Sequence, residues 1–100
     1  MLDALTKETF EQLLGQSFDV ALASGETLRL TLLHVREAMA GGIGSPHRTP
    51  FSLLFRGGPR DQYLPQRIYD LVHPELGTLS IFIVPVGPDE GAMRYEAVFT

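Results

Sequence analysis

The sequence predicts a mainly β domain: a small antiparallel barrel or two-layer sandwich of about six strands with one N-terminal α-helix. Three observations lead to this prediction. Short runs rich in Phe, Ile, Val, Leu and Tyr recur through residues 51–100, and Gly or Pro ends each run. Apolar and polar residues alternate in much of residues 18–32. One segment near the N-terminus has the start and stop signals of a helix.

The composition excludes several functional classes. The 100 residues fit one domain spanning 1–100, which buries roughly two-thirds of its unfolded surface. The net charge is −4 and Lys7 is the single lysine, so we expect no binding to nucleic acid. Cysteine is absent, which excludes disulfides and favours the cytoplasm. We expect neither a signal peptide nor a membrane span, because the N-terminal region is acidic and apolar stretches are far shorter than about 18 residues.

The N-terminal segment predicts a helix from about residue 7 to residue 14. Thr6 is the expected N-cap, and Gly15 is the expected stop. Leu5 precedes the cap and Phe10 is the fourth helical residue, which is the arrangement of a hydrophobic staple. We expect the face that contains Phe10 to close one side or end of the sheet.

Two alternating segments predict the first hairpin. Apolar residues occupy every second position in residues 18–22 and again in residues 28–32. The alternation changes phase at Leu33, because Leu33 and Val35 are apolar where polar residues are expected. A one-residue β-bulge there would keep both apolar sets facing inward. The alternative is that both faces of the strand are partly covered, with the helix on one side.

Four further strands and a long loop complete the predicted meander. The first is expected to start at residue 51 and to end at the glycines and proline of residues 57–59. The others are expected at residues 68–72, 78–84 and 94–100, with Pro85 ending the ladder of the strand at 78–84. Residues 39–50 contain three glycines and two prolines without periodicity, so we expect a loop there. Loops of that length without internal structure tend to be functional or mobile.

The polar residues do not follow a catalytic or metal-binding pattern. His34, His47 and His73 lack the spacing of a metal site, and we expect ordinary hydrogen-bonding or solvated histidines. Ser45 lies outside any GxSxG motif, and no lysine follows the glycines of residues 41–44 as a phosphate loop would require. We therefore expect no enzyme, no metal and no cofactor.

Two segments are the predicted partner contacts. Arg56 and Arg60 flank a turn, where their guanidinium groups could hold a partner's carboxylate bidentately. Alternatively, one arginine pairs with Asp61 and the other is solvated. The residues predicted to contact a partner come from the long loop and from this turn: Gly41, Gly42, Ile43, Gly44, His47, Arg48, Arg56, Arg60 and Gln66.

The second half of the chain contains recognisable motifs. They read FSLLFRGGP at 51–59, LPQxIY at 64–69, HPxLG at 73–77 and YEAVF at 95–99. These residues resemble a family of small, uncharacterised bacterial domains of unknown function. The resemblance implies a stand-alone protein encoded near phage-tail-like collar proteins, with a structural or chaperone role beside a tail-like assembly. It brings no catalytic residues.

The leading functional prediction is a non-enzymatic cytoplasmic domain that binds a protein partner or self-associates. Exposed strand edges would supply the contact surface, because unpaired backbone groups can add a partner's strand. The alternative is a small barrel that binds an apolar ligand or acts as a minor enzyme. A cavity above about 300 Å³ with convergent His73, Tyr69 or Arg56 would favour it. A third possibility is a purely structural unit without a separable site.

Overall fold

The fold is that of a small β-barrel with a short helix at one end. A computed structural model of the chain describes residues 6–22, 24–37, 51–59, 64–89 and 91–99. The elements in these residues are α1 (Lys7–Glu11), β1 (Ser17–Ala21), β2 (Thr27–Glu37), β3 (Phe51–Pro59), β4 (Arg67–His73), β5 (Gly77–Asp89) and β6 (Ala92–Phe99). The prediction of a mainly β domain with about six antiparallel strands and one N-terminal helix is confirmed.

The helix begins where predicted and ends early. The Thr6 hydroxyl oxygen accepts a hydrogen bond from the Thr9 backbone N–H, and the Thr9 hydroxyl oxygen accepts one from the Thr6 backbone N–H, which completes a capping box. The helix ends at Glu11 rather than at residue 14. The reason is the sheet, because the Gly15 N–H donates to the Leu32 carbonyl at 2.8 Å. The proposed staple residue Leu5 lies outside the described residues.

The bulge predicted in β2 is present at Leu33. Leu32 faces Phe55 on β3, whereas His34 faces the very next residue, Leu54, so Leu33 is the extra residue. Beyond the bulge Val35 packs against the core, as predicted. Leu33 does not turn inward, which corrects the prediction that both residues would. It is half-buried on the outer face of the sheet.

The strands close into a ring in the order β1-β2-β3-β6-β5-β4. Each half of the chain is a three-stranded meander, but β3 neighbours β6 instead of β4. The sheet therefore differs from one continuous meander, because two meanders are joined edge to edge. β3 and β4 lie on opposite sides of the ring. We call residues 64–66, which lead into β4, the pre-β4 segment.

The longest strands, β2 and β5, form the corners of the barrel. β5 pairs with β4 over Gly77–Ile83 and with β6 from Val84 onward. Pro85 does not end this strand, which corrects the prediction. The ladder with β6 shifts register between Pro85 and Gly87, and such a bulge accommodates a residue that has no N–H to donate. Strands that change neighbours through bulges are how two layers join into one barrel.

Apolar side chains fill the interior, and aromatic rings close the end beside the helix. Phe10 of α1 lies 5.9 Å from Phe51 and 5.5 Å from Phe99, measured between ring centroids. Phe51 and Phe99 stack on each other at 4.8 Å. The expectation that the Phe10 face closes one end of the sheet is confirmed. At the opposite end Leu64, in the pre-β4 segment, packs against the core.

Candidate functional site

A short ladder between β1 and β4 closes the ring, and the two strands separate beyond it; we call this separation the split. The two strands pair through only two residue pairs, Asp19 with Val72 and Val20 with Leu71. Among the described residues, Arg67–Asp70 therefore have ladder partners on the β5 side alone. An open cleft of about 520 Å³ occupies the split. We call it the β1/β4 cleft, and its lining residues are Ala21, Leu22, Leu64, Pro65, Arg67, Ile68, Tyr69 and Asp70.

The split arises because β1 turns away before it reaches the start of β4. The Leu22 N–H donates to the Glu26 carbonyl at 2.8 Å, and the Gly25 N–H donates back to the Leu22 carbonyl at 2.9 Å. Gly25 adopts a φ of 93°, which glycine tolerates best. This tight turn directs the chain from the end of β1 into β2 and away from β4. The edge of β4 is left beside the cleft.

The inner wall of the cleft is apolar and continuous with the core. Leu22, Leu64 and Tyr69 are partly buried and pack against the core cluster. The Tyr69 hydroxyl donates to the Pro65 carbonyl at 2.7 Å, which ties the pre-β4 segment to β4. On the outer rim Ile68 is 64% exposed. The cleft therefore offers apolar surface on both faces of the β4 edge.

A buried hydroxyl anchors the pre-β4 segment from inside the barrel. The Tyr95 hydroxyl accepts a hydrogen bond from the Leu64 N–H at 2.8 Å. Burial raises the pKa of Tyr95 above its ordinary value, and the hydrogen bond from Leu64 opposes this only in part. Tyr95 therefore stays neutral at physiological pH. Its role is to position Leu64 at the cleft.

Opposite charges flank the apolar part of the β4 edge. The Arg67 guanidinium lies 6.0 Å from the centroid of the Tyr69 ring. Asp70 accepts a hydrogen bond from the Ser80 hydroxyl at 2.8 Å. Because Arg67 and Asp70 are three positions apart on a strand, their side chains project to opposite faces. They cannot neutralise each other.

A second, shallower depression of about 330 Å³ lies on the outer face of β2 and β3. Gly57 is among its lining residues, and a Cβ at Gly57 would overlap the carbonyl oxygen of Arg29. Arg56 lines this depression and faces Arg94 across the β3–β6 ladder. Arg29 also lines it and bonds to Asp19 at 3.3 Å.

The predicted partner residues that the structure describes do not come together. Arg56 lies in the shallow depression, whereas Gln66 is exposed at the bend before β4, beside the β1/β4 cleft. The other predicted contacts, and the alternative ion pair with Asp61, lie outside the described residues: Gly41, Gly42, Ile43, Gly44, His47, Arg48 and Arg60. Arg56 and Gln66, the predicted contacts that the structure describes, therefore lie on two different surfaces.

The prediction of an apolar ligand required a large cavity and the convergence of His73, Tyr69 or Arg56 on it. The cavity volume meets this criterion, and the positions of the three side chains do not. The β1/β4 cleft exceeds about 300 Å³ and includes Tyr69. Arg56 lines the other depression, and His73 is buried in the core beside Phe18, with ring centroids 5.0 Å apart. These three side chains therefore lie in three separate places and do not converge on one pocket.

His73 is a structural histidine, as predicted. Its Nδ1 accepts hydrogen bonds from the backbone N–H groups of Glu75 at 3.1 Å and Leu76 at 3.4 Å. Since N–H groups only donate, Nδ1 carries no hydrogen, and Nε2 donates to the Gln16 side-chain oxygen at 2.7 Å. His34 is exposed on β2. Within the described ranges, no three His, Asp or Glu side chains form a group that could hold a metal ion.

The cleft residues Leu22, Leu64 and Ile68 were missed by the sequence analysis. One signal for them exists, because Ile68 and Tyr69 are consecutive apolar residues in a strand. Neighbouring residues in a strand point to opposite faces, so one of the two must face outward. The split itself has no local signal, since it depends on where β1 ends relative to β4.

The chain belongs to a family described as a domain of unknown function (DUF6916), whose model matches residues 5–99. Membership in a family of unknown function, which the sequence motifs suggested, is thereby shown. No curated protein and no solved structure matches the chain. Of the helices in the described residues, none is long and apolar enough to cross a membrane.

Proposed function

We propose that this member of a family of unknown function is a non-enzymatic binding module that accepts an extended segment of a protein partner as an additional strand. The segment lies in the β1/β4 cleft along Arg67–Asp70. One observation carries the proposal: the β1–β4 ladder stops after two residue pairs. The proposal includes a cytoplasmic location and no binding to nucleic acid or membranes.

Backbone geometry supports strand addition at this edge. In a β-strand, the N–H and C=O of one residue point to the same side, and the next residue points them to the other side. Two of the four residues in Arg67–Asp70 therefore direct both groups toward the cleft. A guest strand can satisfy these groups, each bond contributing about 0.5–1.5 kcal/mol. Unpaired edges are the surfaces that peptide-binding domains use in this way.

Side chains of the cleft support an apolar guest. A guest residue opposite Tyr69 would point inward, toward Leu22 and Leu64, and extend the core. A guest residue opposite Ile68 would point outward and cover a side chain that is 64% exposed. Four residues extend over roughly 13 Å, so the contact is small and the binding is expected to be weak and reversible.

Selection of peptides by display on the purified protein tests this function. We expect extended peptides with two adjacent apolar residues, and slower amide exchange of Arg67–Asp70 when they are bound. Ile68→Asp should abolish binding. The matched control is Val98→Asp, because Val98 is an apolar, outward-facing residue that is 57% exposed and lies outside the cleft. Selected peptides that bind both variants equally, or that leave the exchange of Arg67–Asp70 unchanged, would contradict the proposal.

A second candidate function is binding of a small apolar ligand. The cleft volume of about 520 Å³ supports it, because ligand pockets generally range from about 300 to 1,000 Å³. A ligand of this kind would displace the peptides without slowing the exchange of the β4 edge amides. Titration with an apolar fluorescent dye, followed by amide exchange, separates the two functions.

The finer part of the proposal is an accessory role beside a phage-tail-like particle. The resemblance of the sequence motifs supports it, and strand addition is a mode by which subunits of such particles could recruit this protein. We expect the neighbouring genes to encode tail or collar components. Neighbouring genes without such components would contradict this part and leave the strand site unaffected.

A further inference from the structure

We infer that the guest strand is β4 of a second copy of this chain, paired antiparallel about a two-fold axis that passes beside Ile68. This inference rests on the proposed strand site and names its partner. The reason is that the exposed edge of β4 is chemically complementary to itself in one register.

Symmetry restricts the possible registers. Two antiparallel strands related by a two-fold axis keep the same faces of the sheet, so one residue must face its own copy. The edge offers four such centres, Arg67, Ile68, Tyr69 and Asp70. Centring on Arg67 or on Asp70 places like charges directly opposite, which is destabilising. Centring on Tyr69 requires Leu71, which already pairs with β1. Ile68 is the remaining centre.

The register centred on Ile68 gives a favourable contact at each position. Ile68 faces Ile68 of the second copy on the outer face. On the inner face Arg67 faces Tyr69 of the second copy, and a guanidinium already lies 6.0 Å from that ring within one chain. Gln66 faces Asp70, whose carboxylate makes one hydrogen bond among the described residues, to Ser80. Two-fold symmetry repeats the last two contacts.

An exposed apolar pair next to the edge gains a partner in this arrangement. Ile68 faces Phe82 across the β4–β5 ladder, and the two side chains are 64% and 50% exposed. Across the two-fold axis they become a continuous row of four apolar side chains. The backbone bends at Gln66, so Pro65 can leave the sheet before it meets β1 of the second copy.

Disulfide trapping tests the register directly, because the chain has no cysteine of its own. Facing residues in an antiparallel pair have Cα atoms about 4.5–5.5 Å apart, within the range a disulfide spans. Ile68→Cys should therefore form a covalent dimer rapidly under mild oxidation. Val98→Cys, at a similarly exposed position, is the matched control and should form little. Equal trapping of both variants, or preferential trapping of Val98→Cys, overturns the inference.

Charge variants at Gln66 test the same register without a covalent bond. Gln66→Lys places an amine opposite Asp70 of the second copy and should tighten the dimer by roughly 2- to 30-fold, since two such pairs form. Gln66→Glu should weaken it by a similar factor, and adding Asp70→Lys should restore it. Sedimentation equilibrium measures the dissociation constants. Identical constants for Gln66→Lys and Gln66→Glu overturn the inference.

The two proposals fail differently. A chain that stays monomeric at millimolar concentration, yet binds displayed peptides at Arg67–Asp70, overturns self-pairing and leaves the strand site intact. A chain that neither dimerises nor binds peptides overturns both.

Discussion

Tyr95 shows how one polar atom is placed inside an apolar barrel. The residue is 1% exposed, and its hydroxyl holds the Leu64 N–H at the end of the barrel opposite the helix. His73 does similar work in the turn before β5, where it accepts two backbone hydrogen bonds. The motifs LPQxIY and HPxLG therefore contain residues that hold the backbone in place.

Replacing Tyr95 with Phe should lower the free energy of unfolding by about 1–2 kcal/mol at pH 8, because the Leu64 N–H loses its acceptor. The pKa of Tyr95 is raised in the folded state, so the unfolded state releases its proton first as the pH rises. The stabilisation that Tyr95 contributes is fully present below about pH 10, the ordinary pKa of tyrosine, and is lost as the pH rises through the higher folded-state pKa.

Urea unfolding at pH 8 and near pH 11 checks this prediction. Wild type should lose more stability over that range than Tyr95→Phe. The raised pKa of Lys7, which its hydrogen bond to Glu11 causes, adds an alkaline loss that both proteins share. Equal losses in the two proteins would show that Tyr95 does not titrate as proposed.

Replacing His73 with Ala should cost about 2–3 kcal/mol of unfolding free energy, because two backbone N–H groups and Gln16 lose their partner. His73→Asn should cost less, since its side-chain oxygen can take the place of Nδ1 as acceptor. His34→Ala, at an exposed position, should change stability by less than about 0.5 kcal/mol. Chemical denaturation of the three variants orders them, and an equal cost at His73 and His34 would refute the structural role.

At the scale of elements, the local alternation of apolar and polar residues correctly predicted the features that depend on it. Alternation placed the strands, and the phase change at Leu33 located the bulge in β2. The end of α1 was predicted wrongly, because Gly15 hydrogen-bonds to Leu32, and that contact is invisible in the helix signals. The extension of β5 beyond Pro85 was missed for the same reason. Its bulge is defined by pairing with β6.

The close approach of β2 and β3 at Gly57 predicts a large effect of one methyl group. Gly57→Ala should destabilise by about 2–3 kcal/mol, because the added carbon would overlap the Arg29 carbonyl oxygen and push the strands apart. Gly91→Ala is the control. Gly91 has a φ of 89° and no atom within 4 Å of an added Cβ, so only backbone strain of about 1 kcal/mol is expected. Thermal unfolding compares the two, and a larger cost at Gly91 would contradict this packing.

At the scale of the molecule, the order of strands in the ring was beyond the sequence analysis. Alternation tells which face of a strand is buried and says nothing about which strand lies beside it. The β3–β6 and β1–β4 pairs join residues far apart in the chain. The β1/β4 cleft is a consequence of that order, so neither Leu22 nor Leu64 could be assigned to a site before the ring was known.

Self-pairing through β4 makes stability depend on protein concentration. If the dimer forms as inferred, the melting temperature should rise as the concentration is increased, because association shifts the folding equilibrium toward the folded state by mass action. Ile68→Asp should melt at the same temperature at every concentration. Calorimetry over a hundredfold range measures this, and a concentration-independent wild type would contradict the dimer.

The edge-to-edge joining of the two meanders also bears on how the protein is made. β6 is the last of the six strands to leave the ribosome, yet β3 pairs with it along most of its length. Until β6 emerges, the first meander has already been synthesised, but its apolar face remains uncovered. Partly synthesised chains of this kind expose apolar surface and an unpaired strand edge, which makes them prone to aggregation. We therefore expect cooperative folding only after β6 has been translated, with β3 exposed as the vulnerable edge until then.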